Sequence, residues 1–412
     1  MTLAPLPPPV RIVANRAADR ESAASPSSIS PFSAAEASEA RRLIQSLPGF
    51  APTPLHRLEG LAREAGLGGI FYKDEAPRFG LQSFKALGGA HAVYRVAEEH
   101  LRAEGAAATA SPLDLIAGRY RSELESLTLA CATDGNHGRA VAWAARMFGC
   151  PCVVFLHEHV SEGRARAIEA YGGRIERVPG NYDDSVRAAA AAAAAEGWTI
   201  VSDTAYPGYT RIPQFVMTGY TQIAAEAMAQ APRPDAFSHV IVQAGAGALA
   251  AGILTHFWQE LGVGRPRFVI VESAEADCYL RSAAAGKIVT VGGALDTVMA
   301  GLACGEPSIS AWELLGRGAD DFVSLSDDAV APVMRLLAEA PFGDSPITGG
   351  ESGVAGLALL LAARSSPEAS AALGFDERSH VLVIGTEGAT DPDAYHRLTG
   401  LEPPGGGEKV DA

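Results

Sequence analysis

Three short apolar runs rich in β-branched residues, at positions 240–242, 268–271 and 381–384, carry no polar residue at alternate positions. Strands of this kind are buried on both faces, which calls for a parallel sheet covered by helices on each side. A second set of strand–helix units precedes them, with strands at 127–130, 152–156, 174–178 and 198–201 and helices through 140–148, 162–171 and the alanine tract 188–195. Alanine is the strongest helix former, and Asn181 or Asp183 can cap the start of the last helix. An earlier strand at 69–73 leads to a helix over 83–100. Two clusters of such units predict an α/β chain of two lobes, each a mainly parallel sheet flanked by helices. Ligands are then expected in the cleft, at the carboxyl ends of the strands.

The 412 residues suffice for two domains, and 48% hydrophobic with 20% charged residues describes a globular chain. A net charge of -15 argues against nucleic acid or an anionic membrane as partner. No apolar stretch is long enough to span a bilayer, and the N-terminus shows no signal-peptide pattern. Five cysteines do not make a disulfide framework, so a cytoplasmic chain is expected. Cys150 and Cys152 are poorly spaced for zinc and read as packing residues, and no metal site is expected. Residues 1–37 read as a flexible extension, with a short helix over 34–46, and 401–412 as a disordered tail.

The segment 79–89 places Lys85 between Phe84 and Ala86 at a predicted helix start, one turn before Gly88 and Gly89. Burial disfavours an ammonium ion, and an amine in apolar surroundings can attack a carbonyl to form a Schiff base. A lysine that snorkels to water from a core-edge helix is the competing reading of this segment alone.

Gly245, Ala246, Gly247, Ala248 and Leu249 follow a strand and open a helix, so their backbone amides can hold a phosphate. With Glu272 at the end of the next strand, the same loop also fits a dinucleotide fingerprint. A second strand-to-helix turn, Thr133-Asp134-Gly135-Asn136-His137-Gly138, is too polar for packing. In it, Asn136 can bond a phenolic oxygen or a carboxylate, Asp134 can serve as a base or an orienting group, and His137 reads as a packed or supporting residue. Asp203 follows the 198–201 strand, either as a further carboxylate at a strand end or as a plain turn residue. Thr386 follows the 381–384 strand, where its hydroxyl can meet a ring nitrogen, and the glycine-rich 349–353 segment completes the set. An amine, an anion-binding loop, an amide for a phenolate and a hydroxyl for a ring nitrogen are together the requirements of pyridoxal phosphate. Hydride transfer to a nicotinamide has no use for Lys85 in this setting.

The ordered motifs Pro52-Thr53-Pro54-Leu55, Ser83-Phe84-Lys85, Asp134-Gly135-Asn136-His137-Gly138 and Gly245-Ala246-Gly247 resemble the fold-type II pyridoxal-phosphate enzymes. These include serine and threonine dehydratases and tryptophan synthase β. Finer features resemble one branch, the diaminopropionate ammonia-lyases: Phe79-Gly80-Leu81, Asn181-Tyr182-Asp183-Asp184, Asp203-Thr204-Ala205, the run from Met299 to Pro307, and Thr386-Glu387-Gly388 with Thr390-Asp391-Pro392. The match spans roughly residues 40–400, and Asp134 stands where the dehydratases usually carry a serine.

This resemblance implies that Lys85 carries the cofactor, Asn136 contacts its hydroxyl, the amides of Gly245, Ala246, Gly247, Ala248 and Leu249 hold its phosphate, and Thr386 faces the ring nitrogen. It further implies elimination of ammonia from 2,3-diaminopropionate, of either or both hands, to give pyruvate and two ammonia. Asp134 and Asp203 would be bases on opposite sides of the substrate. A homodimer is implied, as are a large cofactor-binding domain of residues 38–95 and 212–400 and a small domain of 96–211. Cys278 and Cys304 match a cysteine pair of the family, so they are expected to lie close together.

Gln82 departs from the family pattern, where asparagine or a similar residue is expected, and so do Tyr206-Pro207, in place of Trp-Glu, and Ala389, in place of an acid. The alternatives are a serine or threonine dehydratase and, from another class, an NAD-binding oxidoreductase.

Overall fold

The structure, a computed structural model, describes residues 3–20, 30–133, 135–180 and 182–403. Asp134 and Asn181, and the tail from 404 onward, lie outside the described residues. Two sheets organise the molecule. Their strands are β1 (Arg11–Ala14), β2 (Leu55–Arg57), β3 (Gly69–Asp74), β4 (Leu129–Ala132), β5 (Cys152–His157), β6 (Arg174–Val178), β7 (Thr199–Ile200), β8 (His239–Gln243), β9 (Arg267–Ser273), β10 (Asp321–Leu325) and β11 (His380–Gly385).

The larger sheet has the order β1-β10-β9-β8-β11-β3-β2, and the smaller one β6-β5-β4-β7. From β10 across to β3 the pairing is parallel throughout, as it is in the whole smaller sheet. Both edges of the larger sheet are antiparallel strands, β1 on β10 and β2 on β3. This is the α/β architecture of parallel sheets flanked by helices that the apolar runs predict. Every residue of β8 and β10 is buried, as is β9 beyond Arg267 and β11 beyond His380, because helices cover both faces.

The N-terminal segment differs from its sequence reading. Arg11–Ala14 are not a loose extension but an edge strand, and Arg20 clamps the turn that follows by bonding Asp320 and the carbonyls of Arg265 and Pro266. Composition does not reveal this, because four residues paired on one side carry almost no pattern. Among the described residues no helix is long and apolar enough to cross a membrane.

The helix Lys85–Ala103 packs against both Arg211–Gln230 and Asn136–Phe148, so it lies between the two sheets. Gly88 allows the first of these contacts: a Cβ there would stand 2.6 Å from the Tyr220 ring.

Candidate active site

The carboxyl ends of β4, β8 and β11 and the start of the helix Lys85–Ala103 converge on one cleft of about 950 Å³, its open mouth included. Lys85, Asn136, Asp203, Thr386 and all five residues from Gly245 to Leu249 line it. Sequence positions from 85 to 386 are thus brought to a single wall system.

Lys85 is the first residue of its helix, and the chain reaches it through a tightly held approach. Ser83 forms a bridge with Glu387, the Phe84 amide donates to the Thr386 carbonyl at 3.0 Å, and the Gly388 amide donates to the Gln82 carbonyl at 3.0 Å. Lys85 and Thr386 are therefore positioned by the same backbone contacts. Phe79 and Gln82 both lie in the left-handed region, at φ 51° and 53°. Asparagine tolerates that conformation better than most residues, which gives a physical reason for the residue expected at position 82.

The Lys85 ammonium donates to Asp203 Oδ2. Burial pushes the lysine's proton affinity down, but the Asp203 carboxylate outweighs it and holds the amine above its ordinary range. This corrects the expectation that apolar surroundings weaken the Lys85 proton. For Asp203 burial acts upward, yet Lys85 and then His137 prevail and keep the carboxylate well below its usual range. Asp203 is a cleft residue and not a helix cap: the chain beyond it is pinned by the Ala205 amide donating to Ser308 Oγ at 2.9 Å. Tyr206 stacks on Tyr209 at 4.9 Å and does not line the cleft. Tyr209 in turn bonds the Ser202 amide, so the Tyr206-Pro207 departure acts on the support of Asp203.

Asn136 opens the helix Asn136–Phe148; its Nδ2 donates to Glu387 Oε2 and its Oδ1 accepts from Arg139 at 2.9 Å. His137 is buried, with Nε2 at 2.8 Å from the Val201 carbonyl, so the proton sits on Nε2. Burial lowers its pKa.

Gly247, at φ 91°, makes the turn from β8 into the helix Ala248–Leu261. A Cβ there would meet the Tyr279 hydroxyl at 2.0 Å, and that hydroxyl holds the loop by donating to the Ala246 carbonyl at 2.7 Å. The first amides of the helix have no carbonyl within it to bond, and they are offered to the cleft.

Glu272, the acid that a dinucleotide reading needs, is fully buried and outside the cleft lining. Its two oxygens accept from the Tyr279 and Leu280 amides at 2.8 and 2.7 Å, where it caps a helix, and burial pushes its pKa up to about 8. The nicotinamide alternative therefore loses its ribose contact. Cys278 lies beside Glu272 and Cys304 lines the cleft; no disulfide joins them, and Cys304 is among the groups that raise the Cys278 thiol, after burial and Glu272. Cys150 and Cys152 are buried in the core.

Residues without a sequence-assigned role also line the cleft, among them Gln243, Tyr220, Arg164, Tyr182, Ser352 and Glu387. For Gln243 a signal existed: a polar residue follows the apolar run 240–242, two positions before Gly245.

Residues 47–386 match the family described as pyridoxal-phosphate dependent enzyme. The chain is 40% identical over 372 residues to the diaminopropionate ammonia-lyase of Escherichia coli K12, covering 89% of this chain and 92% of that one. The enzyme of the same name from Salmonella typhimurium is 37% identical over 365 residues, covering 86% and 89%. Among solved structures, the E. coli diaminopropionate ammonia lyase in complex with D-serine superposes with a TM-score of 0.85 at 37% identity, covering 96% of this chain and 98% of that one.

Proposed function

Because the chain belongs to the pyridoxal-phosphate-dependent enzymes, we propose that its cleft converts 2,3-diaminopropionate and water to pyruvate and two ammonia. The observation that carries the substrate is the near-full-length likeness to diaminopropionate ammonia-lyases. The donor set in the cleft fits the cofactor. Lys85 Nζ would carry it, the amides of Gly245, Ala246, Gly247, Ala248 and Leu249 its phosphate, Asn136 its phenolic oxygen and Thr386 its ring nitrogen. When bound, pyridoxal phosphate supplies the electron sink that lets a hydrogen leave the α-carbon of an amino acid.

The rest belongs to this chain's own groups. While Lys85 is an ammonium ion, Asp203 is too weak a base to accept a proton. If Lys85 gives up its proton, the main opposing charge disappears, burial remains, and Asp203 regains proton affinity. Asp134 is the second base, serving the opposite hand of the substrate. Asn136, already held from two sides, reaches its ligand with little reorganisation. The same reading has the chain acting as a cytoplasmic homodimer without nucleic-acid or membrane partners. Its large domain comprises 38–95 and 212–400, and its small domain 96–211.

A pyruvate assay with D- and L-diaminopropionate, serine and threonine in parallel tests the proposal. Diaminopropionate is expected to turn over fastest, and Asp134→Asn and Asp203→Asn to impair the two enantiomers unequally. Preference for serine or threonine would make the protein a dehydratase, and equal losses for both hands would remove the two-base assignment.

A further inference from the structure

Gln243 ends β8 and is 3% exposed. The β8–β11 ladder pairs as far as Ile241 with Val383, and the Gln243 side chain continues the contact beyond it. Its Nε2 lies 3.0 Å from the Ile384 carbonyl, 2.9 Å from that of Ser352, 3.3 Å from that of Gly353 and 3.1 Å from Thr386 Oγ1. Carbonyl oxygens only accept, so the atom facing three of them must be the nitrogen; the flipped amide would set oxygen against oxygen. Among the described residues Oε1 has no hydrogen-bond partner. A buried amide with half its capacity unmet is a poor choice for packing alone, since an unpaired buried acceptor costs about 1–3 kcal/mol.

What this amide does is set the direction of the Thr386 hydroxyl. Thr386 Oγ1 lies 3.1 Å from an amide nitrogen that can donate but not accept, so the hydroxyl proton is left for a different acceptor, and Thr386 lines the cleft. We infer that Gln243 is a positioning residue that makes Thr386 a hydrogen-bond donor toward the cofactor's ring nitrogen, which is thereby held unprotonated. The inference rests on the reading of Thr386 as the partner of that nitrogen. If the amide is removed, the Ile384 and Ser352 carbonyls lose their donor, and the Thr386 proton turns toward them and away from the cleft.

The test is the ¹⁵N chemical shift of the ring nitrogen in holoenzyme reconstituted with ring-¹⁵N pyridoxal phosphate. Wild type is expected to give the signal of an unprotonated, hydrogen-bonded nitrogen, and Thr386→Ser to retain it. Thr386→Val moves the signal to that of a nitrogen without a donor, and Gln243→Met and Gln243→Leu, with Thr386 intact, move it to the same place. If Thr386→Val leaves the signal unchanged, the reading of Thr386 fails. If Thr386→Val moves it while both Gln243 variants keep the wild-type signal, the role of Gln243 is overturned and the Thr386 reading stands. A protonated ring nitrogen in wild type contradicts a donating Thr386, and should neither Gln243 variant fold, Gln243→Asn, whose shorter side chain withdraws the amide from Thr386, is judged by the same two outcomes.

Discussion

Glu351 is 2% exposed, accepts from Arg164 at 2.9 Å through Oε1, and has no partner for Oε2 among the described residues. Burial first, then the neighbouring Glu387, pushes its pKa up to about 7, against the pull of Arg164. The folded state therefore holds this proton more tightly than the unfolded chain does. Stability from Glu351 is full below the ordinary glutamate range and is lost as pH rises toward 7. Glu351→Gln keeps the acceptor for Arg164 and removes the titration. The variant should gain on the order of 2 kcal/mol over wild type at pH 8 relative to pH 5. Unfolding midpoints measured across pH 5–8 check this, and parallel profiles for the two proteins would show that Glu351 is ionised throughout. Single residues divide sharply in how legible they were. Lys85, Asn136, Asp203 and Thr386 could be picked out by type and position relative to a strand end. The protonation of Lys85 could not, because the partner that decides it lies 118 residues away. Gln243 likewise falls just beyond the apolar run 240–242, and its role shows only once β11 lies alongside.

At the scale of elements, the helix Tyr182–Glu196 turns Ser185, Ala189 and Ala193 inward at four-residue spacing. Its alanines give low bulk as well as helix propensity: Ala189 packs into a small cluster with Ala130, Val153 and Phe155. Ala189→Leu should cost roughly 1–3 kcal/mol by overpacking. Ala191→Gly, on the exposed face, should cost about 1 kcal/mol through propensity alone. Chemical denaturation of both variants checks the pair, and an Ala189→Leu variant as stable as wild type would contradict the facing. Strands were legible where both faces are buried, as in β8, β9 and β11. β10 escaped because Asp321 and Ser324 break its apolar run; both are buried, and Asp321 is paired with Arg267 at 2.7 Å. β1 and β2, short edge strands, carry too few residues for a pattern to stand out.

For the whole molecule, the cleft is bridged by polar contacts between segments belonging to the two sheets: Lys85 to Asp203, Asn136 to Glu387, Arg164 to Glu351 and Ser161 to Asp391. A cofactor that takes over Lys85 and Asn136 ties both sides to itself and binds only the folded chain. Saturating pyridoxal phosphate should raise the unfolding midpoint by on the order of 5 °C, and Lys85→Ala should lose most of that gain. Calorimetry of ligand-free and loaded protein checks this; an equal gain in the variant would put the cofactor's attachment elsewhere. The two-lobe plan was legible because strand–helix alternation is a local signal, whereas the order of strands within a sheet is not. That order carries a consequence for biosynthesis. Arg11–Ala14 leave the ribosome well before the strand they pair with, Asp321–Leu325, which is made about 300 residues later. At ordinary elongation rates the segment waits roughly 15–60 s for its partner. The larger sheet therefore closes its β1 edge only after Asp321–Leu325 have emerged, and until then Arg11–Ala14 are a strand segment without its partner.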